Sequence, residues 1–224
     1  MEKARTKIQR GSIMVAHVLG NGSSICFFDR TRCDGIIIGC NFSDENLQPA
    51  YTVIVDSKPI MKIIEGFDLK IPVVLTDRAN EFMLTQRGGW DNLRDGAIKV
   101  KEVVPLLHWK ELSKERAMNS AQIAVMYAIE KEGASDIHLW GINSFWEDDI
   151  RSHTHKIVLK DLSQPNISIK TADIWRVYWK AIFERHPQVN FTIHGPTGVH
   201  SIINAHNYTF AVHERSSGDL NWPA

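Results

Sequence analysis

The feature that most constrains this chain is a set of short apolar runs spaced along it. They read "IMVAHVL" (Ile13 to Leu19), "DGIIIGC" (Asp34 to Cys40), "YTVIVD" (Tyr51 to Asp56), "IPVVLT" (Ile71 to Thr76), "DIHLWGI" (Asp136 to Ile142) and "VNFTIHG" (Val189 to Gly195). Most are continuously apolar, rich in β-branched residues, and closed by Gly or polar punctuation. Strands covered on both faces read this way, so the pattern predicts a parallel sheet. Helical periodicity falls between the runs. The clearest stretch is Ser113 to Gly133, where Ala117, Ala121, Ala124, Val125, Ala128 and Ile129 trace one face and Gly133 supplies a stop. A second runs from about Thr171 to Arg185, with Thr171 as N-cap and Ile174, Val177, Tyr178, Ala181 and Ile182 three or four apart. Strand, helix, strand in this order is the grammar of an α/β fold, here a Rossmann-like open, mostly parallel sheet flanked by helices.

At 224 residues the chain suits a single domain with a substantial core. Residues 1–12 read as an N-terminal extension, 13–213 as the α/β domain and 214–224 as a loosely ordered polar tail. From Thr85 to Leu112, Gly and Asp turns surround one strand at Ile98 to Val104, so 85–112 reads as a lid or insertion.

Lys plus Arg equals Asp plus Glu at 26 each, so no global charge points to a polyanion and a nucleic-acid acceptor is unsupported. Cys26, Cys33 and Cys40 are odd in number and form no CxxC pair, which suits a reducing, cytoplasmic setting. The basic "MEKARTKIQRGS" start does not read as a secretory signal, and no apolar stretch approaches the roughly 18 to 20 residues of a membrane span.

In open α/β sheets ligands bind beyond the carboxyl ends of the strands, so the residues following each run are the candidates. They are Gly20-Asn21-Gly22-Ser23-Ser24, then Asn41, then Asp56-Ser57, then Asn143-Ser144, then His194-Gly195-Pro196-Thr197-Gly198. These small, amide and hydroxyl residues offer hydrogen bonds and room with little fixed charge. Gly20-Asn21-Gly22 with Ser23 and Ser24 reads either as a phosphate cradle or as a plain turn, and it matches neither a dinucleotide nor a P-loop fingerprint. Asp56 is either a ribose, base or metal ligand or the N-cap of a helix beginning at Ser57. Asp148 and Asp149, with Glu147, read either as metal ligands or as a solvated acidic loop. In "RSHTHK", His153 and His155 could serve as general acid or base, contact a phosphate or chelate a metal. No spacing completes a structural zinc set. His194 and His200 flank a turn and rank lower.

The ordered set "VLGNGSSI", "IIGCN", "VIVDS" and "NSAQIAVMYAIEKEGASDIHLWGINSF" resembles a module shared by metal-independent bacterial sialyltransferases that use CMP-sialic acid, flagellar motility accessory factors and the MptE-like hydroxymethylpterin diphosphokinases, of which phage-borne versions exist. The resemblance spans most of residues 13–205. It implies a nucleotide-binding domain in which Asn21, Gly22 and Ser23 lie beside the donor phosphate. Asn41 with Asp56 or Ser57 would contact the nucleotide, Asn119 and Ser120 would line the same pocket, and Gly20 would open the motif. Gly141 and Asn143 would hold the base or ribose. Asn143 stands where the sialyltransferases usually carry Asp, and their catalytic His lies much further downstream than His153 and His155. The implied function is a glycosyltransferase-like enzyme with a nucleotide-sugar donor. One alternative is a magnesium-dependent diphosphokinase using Asp56, Asp148 and Asp149. The other is a non-enzymatic accessory protein, a homo-oligomer with Trp140, Trp146, Trp175 and Trp179 at an interface.

Overall fold

A computed structural model describes residues 13–86, 98–105, 118–148, 150 and 169–214. The strands are β1 (Val15–Leu19), β2 (Ile36–Cys40), β3 (Tyr51–Ile54), β4 (Val73–Thr76), β5 (Val100–Val104), β6 (Asp136–Trp140), β7 (Asn190–Pro196) and β8 (Tyr208–His213). The helices are α1 (Ser57–Ile64), α2 (Asp77–Thr85), α3 (Ser120–Glu130) and α4 (Ile169–Arg185). All eight strands form one open sheet in the order β5-β4-β3-β2-β1-β6-β7-β8, and every neighbouring pair is parallel. This is the expected Rossmann-like α/β architecture. β1 therefore sits between β2 and β6, and the chain winds away from it in opposite directions. The winding reverses at the β1–β6 seam, where an open α/β sheet leaves a crevice beyond the strand ends.

The continuous runs earn their place by double burial. Tyr51 to Ile54 and Val73 to Thr76 are buried at every position. Helices α1 and α2 cover one side of this half through Ile60, Ile63, Ala79 and Met83, packed with Ile54, Val73 and Leu75. On the other side of the sheet, α3 and α4 lie in one core with Ala16, Val18, Ile38, Ile137 and Leu139. Helix α3 is enclosed on nearly all faces, since Ser120 to Ala128 are all buried. Its Ala residues admit that close approach, and each fully buried Val or Ile side chain contributes roughly 1.5–3 kcal/mol.

Three sequence expectations about elements are corrected. The periodicity beginning at Ser113 does not continue as one helix, because Asn119 at φ −88°, ψ 171° is extended and caps a helix starting at Ser120. Thr171 is not an N-cap, because α4 already begins at Ile169. The run ending at Gly195 is not the last strand, and β8 follows it in parallel on the edge. Of the expected lid, Val100–Val104 is strand β5, while 87–97 and 106–112 lie outside the described residues, as do the extension at 1–12 and the tail from 215. No helix among the described residues is long and apolar enough to cross a membrane.

Candidate functional site

The loop after β1 is stapled to the loop after β6. Gly20 N donates to Trp140 O at 2.7 Å and Gly22 N to Gly141 O at 2.8 Å. A Cβ on Gly20 would stand 2.4 Å from Gly141 O, and one on Gly22 would stand 2.5 Å from Asn143 Oδ1. Gly141 also has φ +66°. These glycines are needed first for two backbones to touch, and the close approach shapes the floor of a crevice. Asn143 then ties the loops through its side chain. Its Oδ1 accepts from Ser24 Oγ at 2.8 Å, and its Nδ2 donates to Ser23 Oγ at 2.8 Å and Glu147 Oε1 at 2.9 Å. Both amide hydrogens are thereby used within the protein.

The opposite wall comes from the ends of β1 and β2 and the start of α3. Asn21 Nδ2 donates to Cys40 O at 2.8 Å. Asn41 adopts the left-handed region at φ +55°, which Asn tolerates better than most residues. Thr52 Oγ1 fixes Asn41 by donating to its carbonyl at 2.7 Å, and Ser120 Oγ donates to Asn41 Oδ1 at 3.0 Å. No partner holds Asn41 Nδ2 among the described residues. Asn119 and Gln122 form a capping box, with Gln122 N donating to Asn119 Oδ1 and Asn119 N donating to Gln122 Oε1, both at 3.0 Å. That arrangement leaves the N–H groups of Ser120 and Ala121 without intrahelical partners at the crevice wall.

The resulting crevice has a volume of about 170 Å³ and gathers residues from beyond the ends of β1, β2, β3 and β6, from the head of α3 and from α4. Gly20, Asn21 and Gly22 follow β1, Asn41 follows β2, and Asp56 follows β3. Asn119 and Ser120 come from the head of α3, and Gly141 and Asn143 follow β6. Ser23 and Ser57 are not in its walls; Ser23 is held from outside by Asn143, and Ser57 opens α1. Ser144, offered by the sequence together with Asn143, also lines the crevice, as do Ile150 and Trp175, which were missed from sequence. Ser144 is only 3% exposed, and its Oγ has no hydrogen-bond partner among the described residues. Its place just beyond a strand end made it legible, whereas nothing in the sequence points to Trp175 as a crevice residue.

Asp56 occupies the N-cap position of α1, but its carboxylate makes no cap hydrogen bond, so the capping alternative does not use the side chain. The residue is open at the mouth, yet the crevice walls desolvate the carboxylate and raise its pKa above the ordinary value, against the opposing pull of Arg78 and Lys58. Asp148 is not a free metal ligand. Arg176, nearly buried on α4, donates Nη1 to Asp148 Oδ1 at 2.5 Å, Nε to Ser144 O at 2.7 Å and Nη2 to Glu147 O at 2.7 Å. Among the described residues no three His, Cys, Asp or Glu side chains converge as a metal ion would need. His153, His155 and Asp149 lie outside the described residues.

His194 belongs to a different feature. His138 Nδ1 and His194 Nε2 are 2.9 Å apart, and His194 Nδ1 and His213 Nε2 are 2.8 Å apart, forming a row of imidazoles across β6, β7 and β8. Trp140 stacks on His194 with centroids 3.4 Å apart and donates Nε1 to His17 Nδ1. His17 must then carry its proton on Nε2, which donates to Asp34 O at 2.9 Å. His200 is exposed. The tryptophans do not form an exposed interface: Trp179 is wholly buried, Trp140 nearly so, and Trp146 and Trp175 pack partly buried against the core.

No family model matches the chain, and neither the curated proteins nor the solved structures include a match.

Proposed function

We propose that the crevice at the β1–β6 seam binds the phosphate and sugar of an activated nucleotide donor, and that the protein is a glycosyltransferase-like enzyme. The observation that carries this reading is a set of hydrogen-bond donors on residues lining the crevice that have no partner among the described residues. They are the Ser144 hydroxyl, Asn41 Nδ2 and the first two N–H groups of α3. Leaving a buried hydroxyl unsatisfied costs about 1–3 kcal/mol, and an acceptor-rich ligand removes that cost. A helix N-terminus adds a preference for negative charge.

In the proposed reaction these neutral donors take up the charge that develops on the leaving phosphate as the bond from anomeric carbon to phosphate oxygen breaks. The acceptor hydroxyl forms the new bond to that carbon and gives up its proton. Asp56 is the carboxylate in the walls, and its raised pKa suits a general base. His153 and His155 remain candidates for the same role. The resemblance to the sialyltransferase and MptE-like module supports a nucleotide in this position. The engagement of Asp148 by Arg176 weighs against the diphosphokinase alternative, which needs free acidic ligands for magnesium.

Thermal denaturation of the full chain with CMP, UDP, GDP and ADP tests the reading. A ligand at about 100 times its Kd adds roughly 2.7 kcal/mol of stability. One of the four should raise the melting temperature selectively, and Asp56→Asn should abolish sugar transfer while preserving that rise. No rise with any of them counts against the reading.

A further inference from the structure

A second cavity, of about 620 Å³, opens beside the crevice and shares Gly20 and Asn21 with it. Its size falls in the range of small-molecule pockets. The two differ in chemistry. The crevice is polar and rich in donors, whereas this cavity has an aromatic and aliphatic wall that includes Phe28, Phe42, Phe67 and Leu47. Phe42 and Phe67 are in ring contact with centroids 4.3 Å apart, and Phe67 is 36% exposed. A large aromatic left open at a cavity mouth is a platform for another ring.

The polar side of the cavity comprises Asn21, Ser43, Asn46 and the exposed carboxylates of Asp44 and Glu45. Asp44 Oδ1 accepts from Asn46 N and Nδ2, both at 2.9 Å, and its Oδ2 has no partner among the described residues. Glu45 stands next to it, and neither carboxylate is ion-paired among the described residues. Aromatic walls select a flat ring, and free carboxylate oxygens select N–H donors on its edge.

We infer that this cavity takes a planar heteroaromatic ring bearing an exocyclic amino group, with the Gly20-Asn21 backbone as the partition between ring and phosphate. The inference extends the donor reading above and can fail separately from it. The ring has two sources: the donor's own base, or a separate aromatic acceptor.

Calorimetric titration of the full chain separates the cases, with adenosine and cytidine as amino-bearing probes, inosine and uridine as their counterparts lacking the amino group, and pyrophosphate as a probe of the crevice alone. Adenosine should bind about tenfold tighter than inosine, and cytidine likewise than uridine. Asp44→Asn should shrink that preference. Leu47→Trp should fill the cavity and weaken the nucleosides about tenfold or more while leaving pyrophosphate binding intact. Phe67→Ala removes a partly exposed ring at the surface end of the Phe42 contact and should weaken the same probes if Leu47→Trp disturbs the fold. ADP that binds tighter than adenosine and is weakened by Leu47→Trp marks the ring as the donor's base, whereas simultaneous binding of ADP and adenosine marks a separate acceptor. Absence of nucleoside binding, equal binding of the amino and non-amino probes, or indifference to Leu47→Trp and Phe67→Ala overturns the inference. Nucleoside binding without pyrophosphate binding would uphold it and count against the donor reading of the crevice.

Discussion

Gly20 and Gly141 face each other so closely that a methyl group on either would collide with the other's carbonyl oxygen, at 2.4 Å for Gly20 and 2.6 Å for Gly141. This contact joins the ends of β1 and β6 and sets the depth of the crevice. Gly20→Ala should cost about 1–3 kcal/mol from overpacking alone. Gly141→Ala should cost more, because its φ of +66° adds about 1–2 kcal/mol. Gly133 is the control: its φ is +71° but nothing lies within 4 Å of its missing Cβ, so Gly133→Ala should cost only the backbone part. Urea melts of the three variants check the ranking.

Ser144→Ala should separate stability from binding. The hydroxyl is buried with no partner among the described residues, so its removal should leave the unliganded protein as stable or up to about 1 kcal/mol more stable. Affinity for a phosphate-bearing ligand should fall by about tenfold. Paired melts with and without pyrophosphate measure both effects. Loss of stability with unchanged affinity would make Ser144 a packing residue.

Arg176 should be a strong structural determinant of the same wall. Its guanidinium satisfies the carbonyls of Ser144 and Glu147 and pairs with Asp148 and Asp173. Arg176→Ala leaves those carbonyls without their donor, at about 1–3 kcal/mol each, while the pairs to Asp148 and Asp173, whose side chains are more than half exposed, add little. Arg176→Lys keeps the charge but not the fork, and should recover only part of the loss. Chemical denaturation of both variants measures the difference.

The strand runs were legible because burial on both faces leaves continuous apolar sequence, as in "YTVIV" and "VVL". The residues that follow β1, β2, β3 and β6 supply much of one crevice because a parallel sheet brings strand ends to the same edge, whereas Ser23, Ser24, Ser57 and the turn at the end of β7 are not in its walls. β8 was not legible, because Tyr208 to His213 is an edge strand whose alternation with Thr209 and His213 hides it. Helix α2 buries only Ala79 and Met83, too little for a periodic signal. The onset of α3 was obscured because Ala117 and Met118 continue the apolar spacing up to the capping box at Asn119. Trp175 and Arg176 were invisible as site residues because tertiary packing alone brings α4 to the loop after β6.

The imidazole row should make the fold acid-sensitive. Burial holds His17, His138, His194 and His213 below the usual 6.5, His194 being pushed down to about 3 with the charge repulsion of its His neighbours as a further cause. Asp136 partly opposes this at His17 and His138, and Arg30 reinforces it at His17. The unfolded chain therefore binds more protons than the folded one once pH drops below about 6.5. Stability should be level above that pH and fall below it, at up to about 1.4 kcal/mol per pH unit for each extra proton bound. Asp56, with its pKa raised, contributes in the opposite sense across the carboxylate range. Urea midpoints between pH 4 and 8 should show this slope, and His194→Gln should flatten it.

Titration calorimetry of the full chain with CMP, UDP, GDP and ADP, repeated on Asn41→Ala, tests the central claim most directly. At least one nucleotide should bind at a single site to the unaltered protein, and Asn41→Ala, which removes the Nδ2 donor and the Ser120 contact, should weaken it by about tenfold or more. Absence of heat from all four, or binding untouched by Asn41→Ala, would contradict a nucleotide site at the β1–β6 seam.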